Sequence, residues 1–242
     1  MRSEHAITQL CAALEVTRSG YHHWQRSAPS GRAVADAALS QQVAAIHAEH
    51  RGRYGSPRTT QSEHDQPIAP NRLQEAPVPT GPNQVWVHDL TCVKTEEGWI
   101  YVAVILDLWS RKVVGWAAGE SLRAGLVLAA LAMALRHRRP AAGLLHHSDR
   151  GVQYACGEYR AALGAAGIQA SMSRAGNPYD NAAMESFMAT YKREGVGLAG
   201  GYATREEARQ DFFAFAEIYY NRKRRHSALD YKSPVDFENQ LN

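Results

Sequence analysis

Apolar positions recur with two different periods along the chain. In the first fifty residues Ile7, Leu10, Cys11 and Leu14 fall at i, i+3, i+4 and i+7, the spacing of one buried helix face. EVTRSG interrupts that pattern and YHHWQR resumes it, which fits a helix-turn-helix and fits a small helical bundle without DNA contact equally well. Leu39, Val43 and Ile46 mark a third helix. Six of the ten prolines then lie between Pro57 and Pro82 in a polar stretch, the composition of an extended linker that buries little.

From Gly81 the pattern changes. QVWVHDLTCV, WIYVAVILDL and KVVGWAAG read as three strands separated by turn residues, an antiparallel meander. LRAGLVLAALAMALRHRR follows as an Ala- and Leu-rich helix stopped by Pro140. GLLHHSD is a short apolar strand, GEYRAALGAAG a helix and IQASMS another short strand. YDNAAMESFMATYKRE is a further helix with Asp180 as its expected N-cap, and GVGLAGG (195–201) is expected to be a flexible loop. Thr204 with Glu207 forms a capping box that opens a last helix running toward Asn221. Three meandering strands followed by helix, strand, helix, strand, helix predict an α/β fold of the ribonuclease H-like plan, a mixed five-stranded sheet flanked by helices. The chain therefore divides into a helical region over 1–58, a Pro-rich linker over 59–80, a core over 81–195 and a basic helical extension over 196–242.

Composition narrows the function. The 242 residues are 45% hydrophobic and 21% charged, ordinary for a globular protein. No apolar run approaches the roughly 18 residues that span a membrane, and no signal-peptide block opens the chain, so a cytoplasmic protein is expected. Three separated cysteines provide neither a disulfide framework nor a zinc knuckle. Net charge is +3, and the positive charge concentrates in RHRR (136–139) and YNRKRRHS (220–227), so that Arg222, Lys223, Arg224 and Arg225 are candidate DNA phosphate contacts. A solvated helix end explains either cluster as well.

The candidate chemistry is carboxylate chemistry. In the ribonuclease H-like plan the first strand carries Asp89, the fourth strand lies beside it and brings Asp149 to its tip, and Glu185 sits on a helix passing over the strand ends. Thirty-five residues separate the second and third acids, a weak signal among 24 carboxylates. Phosphodiester cleavage needs an activated nucleophilic oxygen and a stabilised leaving oxygen, which two hard cations roughly 4 Å apart supply when held by carboxylates. Without cations the three acids would repel and at least one pKa would rise. Asn181 and Lys192 lie four before and seven after Glu185, on its helix face, where Lys192 would meet a DNA phosphate and Asn181 steady the site or touch a base. Asp107 is expected to anchor the DLWSR turn. His146 and His147, adjacent on a strand, point to opposite faces and are expected to act as hydrogen-bonded supports. GVGLAGG also spells a dinucleotide fingerprint, but it follows a helix and lacks a βαβ unit.

QVWVHDLTCV, GWIYVAVILDLWSRKVVGW, GLLHHSDRGVQYA, SMSRAGNPYDNAAMESFMATYKRE, YATREEAR and YYNRKRRHSALDYKSPVDFE closely resemble the bacterial insertion-sequence transposases. The resemblance is to the second-reading-frame product of the IS-three family, whose catalytic core is of the retroviral integrase type, and it covers Gly81 to Glu238. It implies that Asp89, Asp149 and Glu185 are a DDE triad. It also implies Mg²⁺-dependent nicking at terminal inverted repeats of double-stranded DNA, with Mn²⁺ able to substitute, and strand transfer by the freed 3′-OH. A homo-oligomer on paired ends and an upstream-frame protein or fusion are the implied partners. VTRSGYHHWQR and IHAEHRGRYGSPR are similar to the family's region before the core, but Arg58 runs directly into TTQSEHD, a few dozen residues short of the family pattern. The competing reading is a truncated relic that binds transposon ends without chemistry.

Overall fold

A computed structural model of the protein describes residues 66–174 and 181–241, with isolated positions 17, 19 and 41. The expected N-terminal helices and the Asp180 cap lie outside the described residues. The chain divides into two compact units, Met1–Gln61 and Ser62–Asn242.

At the centre of the second unit is a five-stranded sheet in the order β3-β2-β1-β4-β5. β1 (Val85–Thr95) pairs antiparallel with β2 (Gly98–Asp107), and β2 with β3 (Val113–Gly119). β4 (Leu145–Ser148) runs parallel to β1, and β5 (Gln169–Met172) parallel to β4. The apolar runs of β1 and β2 are buried on both faces because helices cover both.

On one face lie α1 (Ala124–Arg138), α2 (Val152–Ala155) and α3 (Gly157–Ala165). Their Val127, Leu131, Tyr154, Tyr159 and Leu163 pack on Trp86 and Ile105. α1 ends where Arg139 turns left-handed at φ 45° and Pro140 forbids continuation. Its tight seat depends on Gly115 of β3. A Cβ there would lie 2.5 Å from the Ala130 carbonyl oxygen and 2.7 Å from the Ala134 Cβ.

On the other face lie α4 (Ala182–Thr190) and α5 (Arg205–Phe213). Phe187, Tyr191, Phe212, Phe215 and Tyr220 interleave there over Val87 and Val104. Thr204 caps α5 as expected, its Oγ1 accepting from the Glu207 N–H at 3.1 Å. The helix continues as a π segment, Ala214–Tyr220, to Asn221. Residues on both sides of position 195 share this core, so the packing draws no line between 195 and 196.

Two expectations need correction. GVGLAGG is mostly helix: α4 passes through a π turn, Tyr191–Val196, and an α turn, Gly197–Ala199, before Gly200 and Gly201 reverse the chain at φ 70° and 118°. Burial of Tyr191 beside Gly195 holds the helix together through that glycine-rich stretch. The end of the Pro-rich segment is also not an idle linker. The Arg72 N–H donates to Ser171 Oγ at 2.9 Å, Arg72 Nη1 to Gln169 Oε1 at 3.3 Å, and Ala69 joins the α1 core. Among the described residues no helix is long and apolar enough to cross a membrane.

Candidate active site

Open α/β sheets offer a crevice at the carboxyl ends of parallel strands where neighbouring strands send their connections in opposite directions. β1 leads to β2 on one side and β4 to β5 on the other, so that crevice lies between β1 and β4. The last paired residues are His88 and Ser148. One step further in each strand stand Asp89 and Asp149.

Alternation fixes the face. Trp86 packs with α1 and Val87 with α4, so Asp89, in register with Val87, points toward α4. Its Oδ1 accepts the Leu90 N–H at 2.8 Å. Burial, first, and then the charges of Asp149 and Glu185 push its pKa up to about 7, against the opposing pull of the Leu90 N–H and the Lys192 ammonium. Asp149 follows β4 at the surface of the fold, its Oδ1 accepting from the Gly151 N–H at 2.9 Å. The protein crowding its base raises its pKa by desolvation. Arg150 Nε donates to the Ser173 carbonyl at 2.8 Å and ties this turn to the end of β5. Glu185 is exposed on the first turn of α4, and Lys192 is exposed on the π turn.

Asp149, Glu185 and Lys192 all lie within the electrostatic reach of Asp89. Among the described residues, however, no group of three His, Cys, Asp or Glu side chains already stands in metal-holding range. The donor chemistry fits a hard cation, because clustered carboxylates gain from positive charge what they lose by mutual repulsion.

The α3-side support is histidine and tyrosine. Tyr159 Oη lies 2.8 Å from His88 Nδ1 and 3.0 Å from His146 Nε2, so it donates to one ring and accepts from the other. Burial, then the charge of His147, holds His146 down to about 3, which keeps it neutral. His147 instead meets Ser171 Oγ at 2.8 Å and Ser173 Oγ at 3.0 Å. Both histidines are thus hydrogen-bonded supports. Asp107 anchors its turn as expected, accepting from the N–H groups of Asn83, Trp109 and Ser110 at 2.7 to 3.1 Å.

The integrase core domain family matches residues 79–178, and a second family also described as an integrase core domain matches residues 166–234. A transposase for insertion sequence element IS904 of Lactococcus lactis is 39% identical, over 87% of this chain and 97% of that protein. The chain belongs to the insertion-sequence transposases. Transposase InsF for insertion sequence IS3A of Escherichia coli is 34% identical over 99% of this transposase and 96% of its own length. An insertion element IS600 protein of Shigella sonnei is 40% identical over 94% and 97%. The alignment with InsF runs over 277 positions against 242 residues here, so at least 35 positions of the relative have no counterpart in this chain. In three dimensions the transposase resembles a simian T-cell lymphotropic virus intasome chain, with TM-score 0.56 and 14% identity over 81% of this chain and 74% of that one. It also resembles the HTLV-2 integrase catalytic core solved in complex with magnesium, with TM-score 0.52 and 15% identity over 66% and 98%. These likenesses show the ribonuclease H-like, integrase-type fold.

The remaining candidates in the transposase separate. Arg222, Lys223 and Arg225 are exposed. Arg224 is committed elsewhere, with Nε 2.7 Å from Glu194 Oε2, Nη2 3.1 Å from Glu194 Oε1 and Nη1 3.4 Å from His226 Nδ1. Its assignment as a phosphate contact is therefore corrected: its fork faces the protein. Asn181 is not on the exposed face of α4 either. It is the buried N-cap residue, and its Oδ1 lacks a hydrogen-bond partner among the described residues. Lys192 lies past the start of the π turn, which breaks the regular seven-residue register with Glu185. Glu194, Tyr154 and Tyr159 were missed by pattern reading. No local spacing marks them, since Glu194 meets Arg224, and Tyr154 and Tyr159 meet His88, only through tertiary packing.

Proposed function

We propose that this transposase cleaves the ends of its insertion element and joins the freed 3′-OH to target DNA, with Asp89, Asp149 and Glu185 as the catalytic carboxylates. The observation that carries this reading is Asp89, half-buried at the switch point, with a pKa pushed up to about 7 by burial, Asp149 and Glu185. Acids placed against one another at this cost are expected where positive charge is to be bound. Oxygens of the three carboxylates would hold Mg²⁺ or Mn²⁺, which supplies nucleophile activation and stabilisation of the leaving oxygen.

In the first step a water oxygen attacks phosphorus at the element end and gives up its proton. The P–O3′ bond breaks, and the departing oxygen takes a proton to become the 3′-OH. In the second step that 3′-OH attacks a target phosphodiester and loses its proton, while the target's own 3′ oxygen leaves as a hydroxyl. The phosphodiester count is conserved in joining, so no nucleotide hydrolysis is required. Lys192 neutralises a phosphate beside Asp89, Asn181 steadies the site or touches a base, and Arg222, Lys223 and Arg225 hold DNA backbone away from the reaction. The intasome and trimeric form among the structural neighbours support action as a multimer on double-stranded ends.

The test is joining of labelled terminal repeats in Mg²⁺ or Mn²⁺ by the native chain and by Asp149→Asn. The native chain joins, and the variant binds without joining. Undiminished joining by Asp149→Asn refutes the assignment; binding without joining by the native chain identifies an inactive DNA-binding relic.

A further inference from the structure

We propose that Glu194 and Arg224 form a clamp that fixes the π turn of the catalytic helix and thereby positions Lys192 at the reacting phosphate. The proposal rests on the reading of Asp89, Asp149, Glu185 and Lys192 as the reacting site.

A π turn is a rare departure from helical register, frequent at functional sites, and it needs surroundings that hold it. Here it is held from both sides. On the inner side Tyr191 is fully buried, its ring 4.9 Å from Phe212 and 5.1 Å from Phe215. Gly195 permits that fit, since a Cβ there would lie 2.8 Å from the Tyr191 ring and 3.3 Å from Phe215.

On the outer side the carboxylate of Glu194 is gripped by the C-terminal segment. Arg224 binds both of its oxygens, through Nε and Nη2, and Tyr219 Oη donates to Glu194 Oε2 at 3.1 Å. Arg193 Nη2 adds a contact to Oε1 at 3.0 Å. The Arg224 and Glu194 side chains are only 20% and 22% exposed, so solvent weakens the pair less than it would an ordinary surface ion pair. In agreement, Arg224 first among its partners holds the Glu194 carboxyl down to about 2. Arg224 also lies over the Tyr220 ring at 5.9 Å, and Tyr220 packs edge-on against Phe187 at 4.8 Å, two residues from Glu185. The C-terminal segment therefore grips both the turn carrying Lys192 and the helix carrying Glu185.

Lys192 is two residues before Glu194 in the same turn. Rewinding the turn to α register would rotate the attached residues by about 100° per residue slipped, enough to swing an ammonium out of the crevice. A positioning defect of this kind lowers the rate of reaction of bound DNA and costs binding no more than the loss of the Lys192 contact itself.

The experiment uses the full chain and compares Glu194→Gln, Arg224→Lys and the exchanged pair Glu194→Arg with Arg224→Glu. Arg225→Ala serves as the phosphate-contact comparator, Lys192→Ala as the background for double variants and Asp149→Asn as the inactive control. Three quantities are read: the joining rate at saturating DNA, the affinity for element ends over a salt series, and hydrogen exchange at 191–196. Each single clamp variant is expected to join at least about tenfold more slowly and to exchange faster at 191–196, with end affinity and salt slope falling no further than in Lys192→Ala and with no added loss of either when combined with Lys192→Ala. Exchange elsewhere stays protected, and the exchanged pair recovers part of the rate. A further flattening of the salt slope when Arg224→Ala is added to Lys192→Ala, matching the effect of Arg225→Ala, would overturn the clamp in favour of a phosphate contact. So would native exchange at 191–196 in both single variants, a measurement that needs no activity. Clamp variants joining at the native rate sink the clamp alone, whereas joining by Asp149→Asn sinks the reading of the site.

Discussion

Replacing Asp89 by Asn removes a charge while keeping the acceptor that the Leu90 N–H uses at 2.8 Å. In the cation-free protein the folded state holds the Asp89 proton up to about pH 7, because burial and then Asp149 and Glu185 disfavour its charge. The unfolded chain releases that proton near pH 4. Between those values the folded state binds more protons than the unfolded one, so this group's contribution makes stability fall as pH rises, with the loss complete above about pH 7. Raising a carboxyl from near 4 to about 7 corresponds to a ceiling of about 4 kcal/mol, and relaxation with water entry brings the expected effect nearer about 2 kcal/mol. In chelator at pH 8, Asp89→Asn should therefore be the more stable protein by about 2 kcal/mol, or roughly 4–8 °C in Tm for a domain of this size. The advantage should vanish toward pH 4. Urea unfolding of both proteins across pH 4 to 8, with and without Mn²⁺, measures it, and Mn²⁺ should stabilise the native chain and not the variant. Equal stability of the two proteins at pH 8 in chelator would refute the argument that burial and the neighbouring carboxylates disfavour the Asp89 charge.

Lys192→Ala is expected to weaken binding of element ends about tenfold and to reduce the salt slope of log Kd by about 1, with folding intact; a fluorescence titration over a salt series reads both. Gly115→Val forces a side chain into the 2.5 Å gap to the Ala130 carbonyl, so α1 must retreat from β3. A loss of at least about 3 kcal/mol is expected by chemical denaturation, since backbone cannot yield as a side-chain tip does.

The strands were legible because short apolar runs rich in Val, Ile and aromatic residues, bounded by turn residues, read as strands from neighbouring positions alone. The expected QVWVHDLTCV, WIYVAVILDL and KVVGWAAG became Val85–Thr95, Gly98–Asp107 and Val113–Gly119. The Thr204 cap and the Asp107 turn were legible for the same reason, since each is completed within a few residues. The π turn at Tyr191–Val196 was not. Its glycines argue locally for a loop, and only the burial of Tyr191 against Phe212 and Phe215 overrides them. Likewise Arg224 looked like one more cation in a basic run, because Glu194 stands 30 residues earlier.

By itself, then, the sequence determined the order of elements, the family and the candidate acids, because periodicity, caps and motifs are written in neighbouring residues. The tertiary structure alone decided which face Asp89 takes, how far its neighbours raise its pKa, and which arginine serves the protein instead of solvent. Those outcomes depend on desolvation and on pairings between remote segments, and neither exists until the sheet and helices have closed on one another.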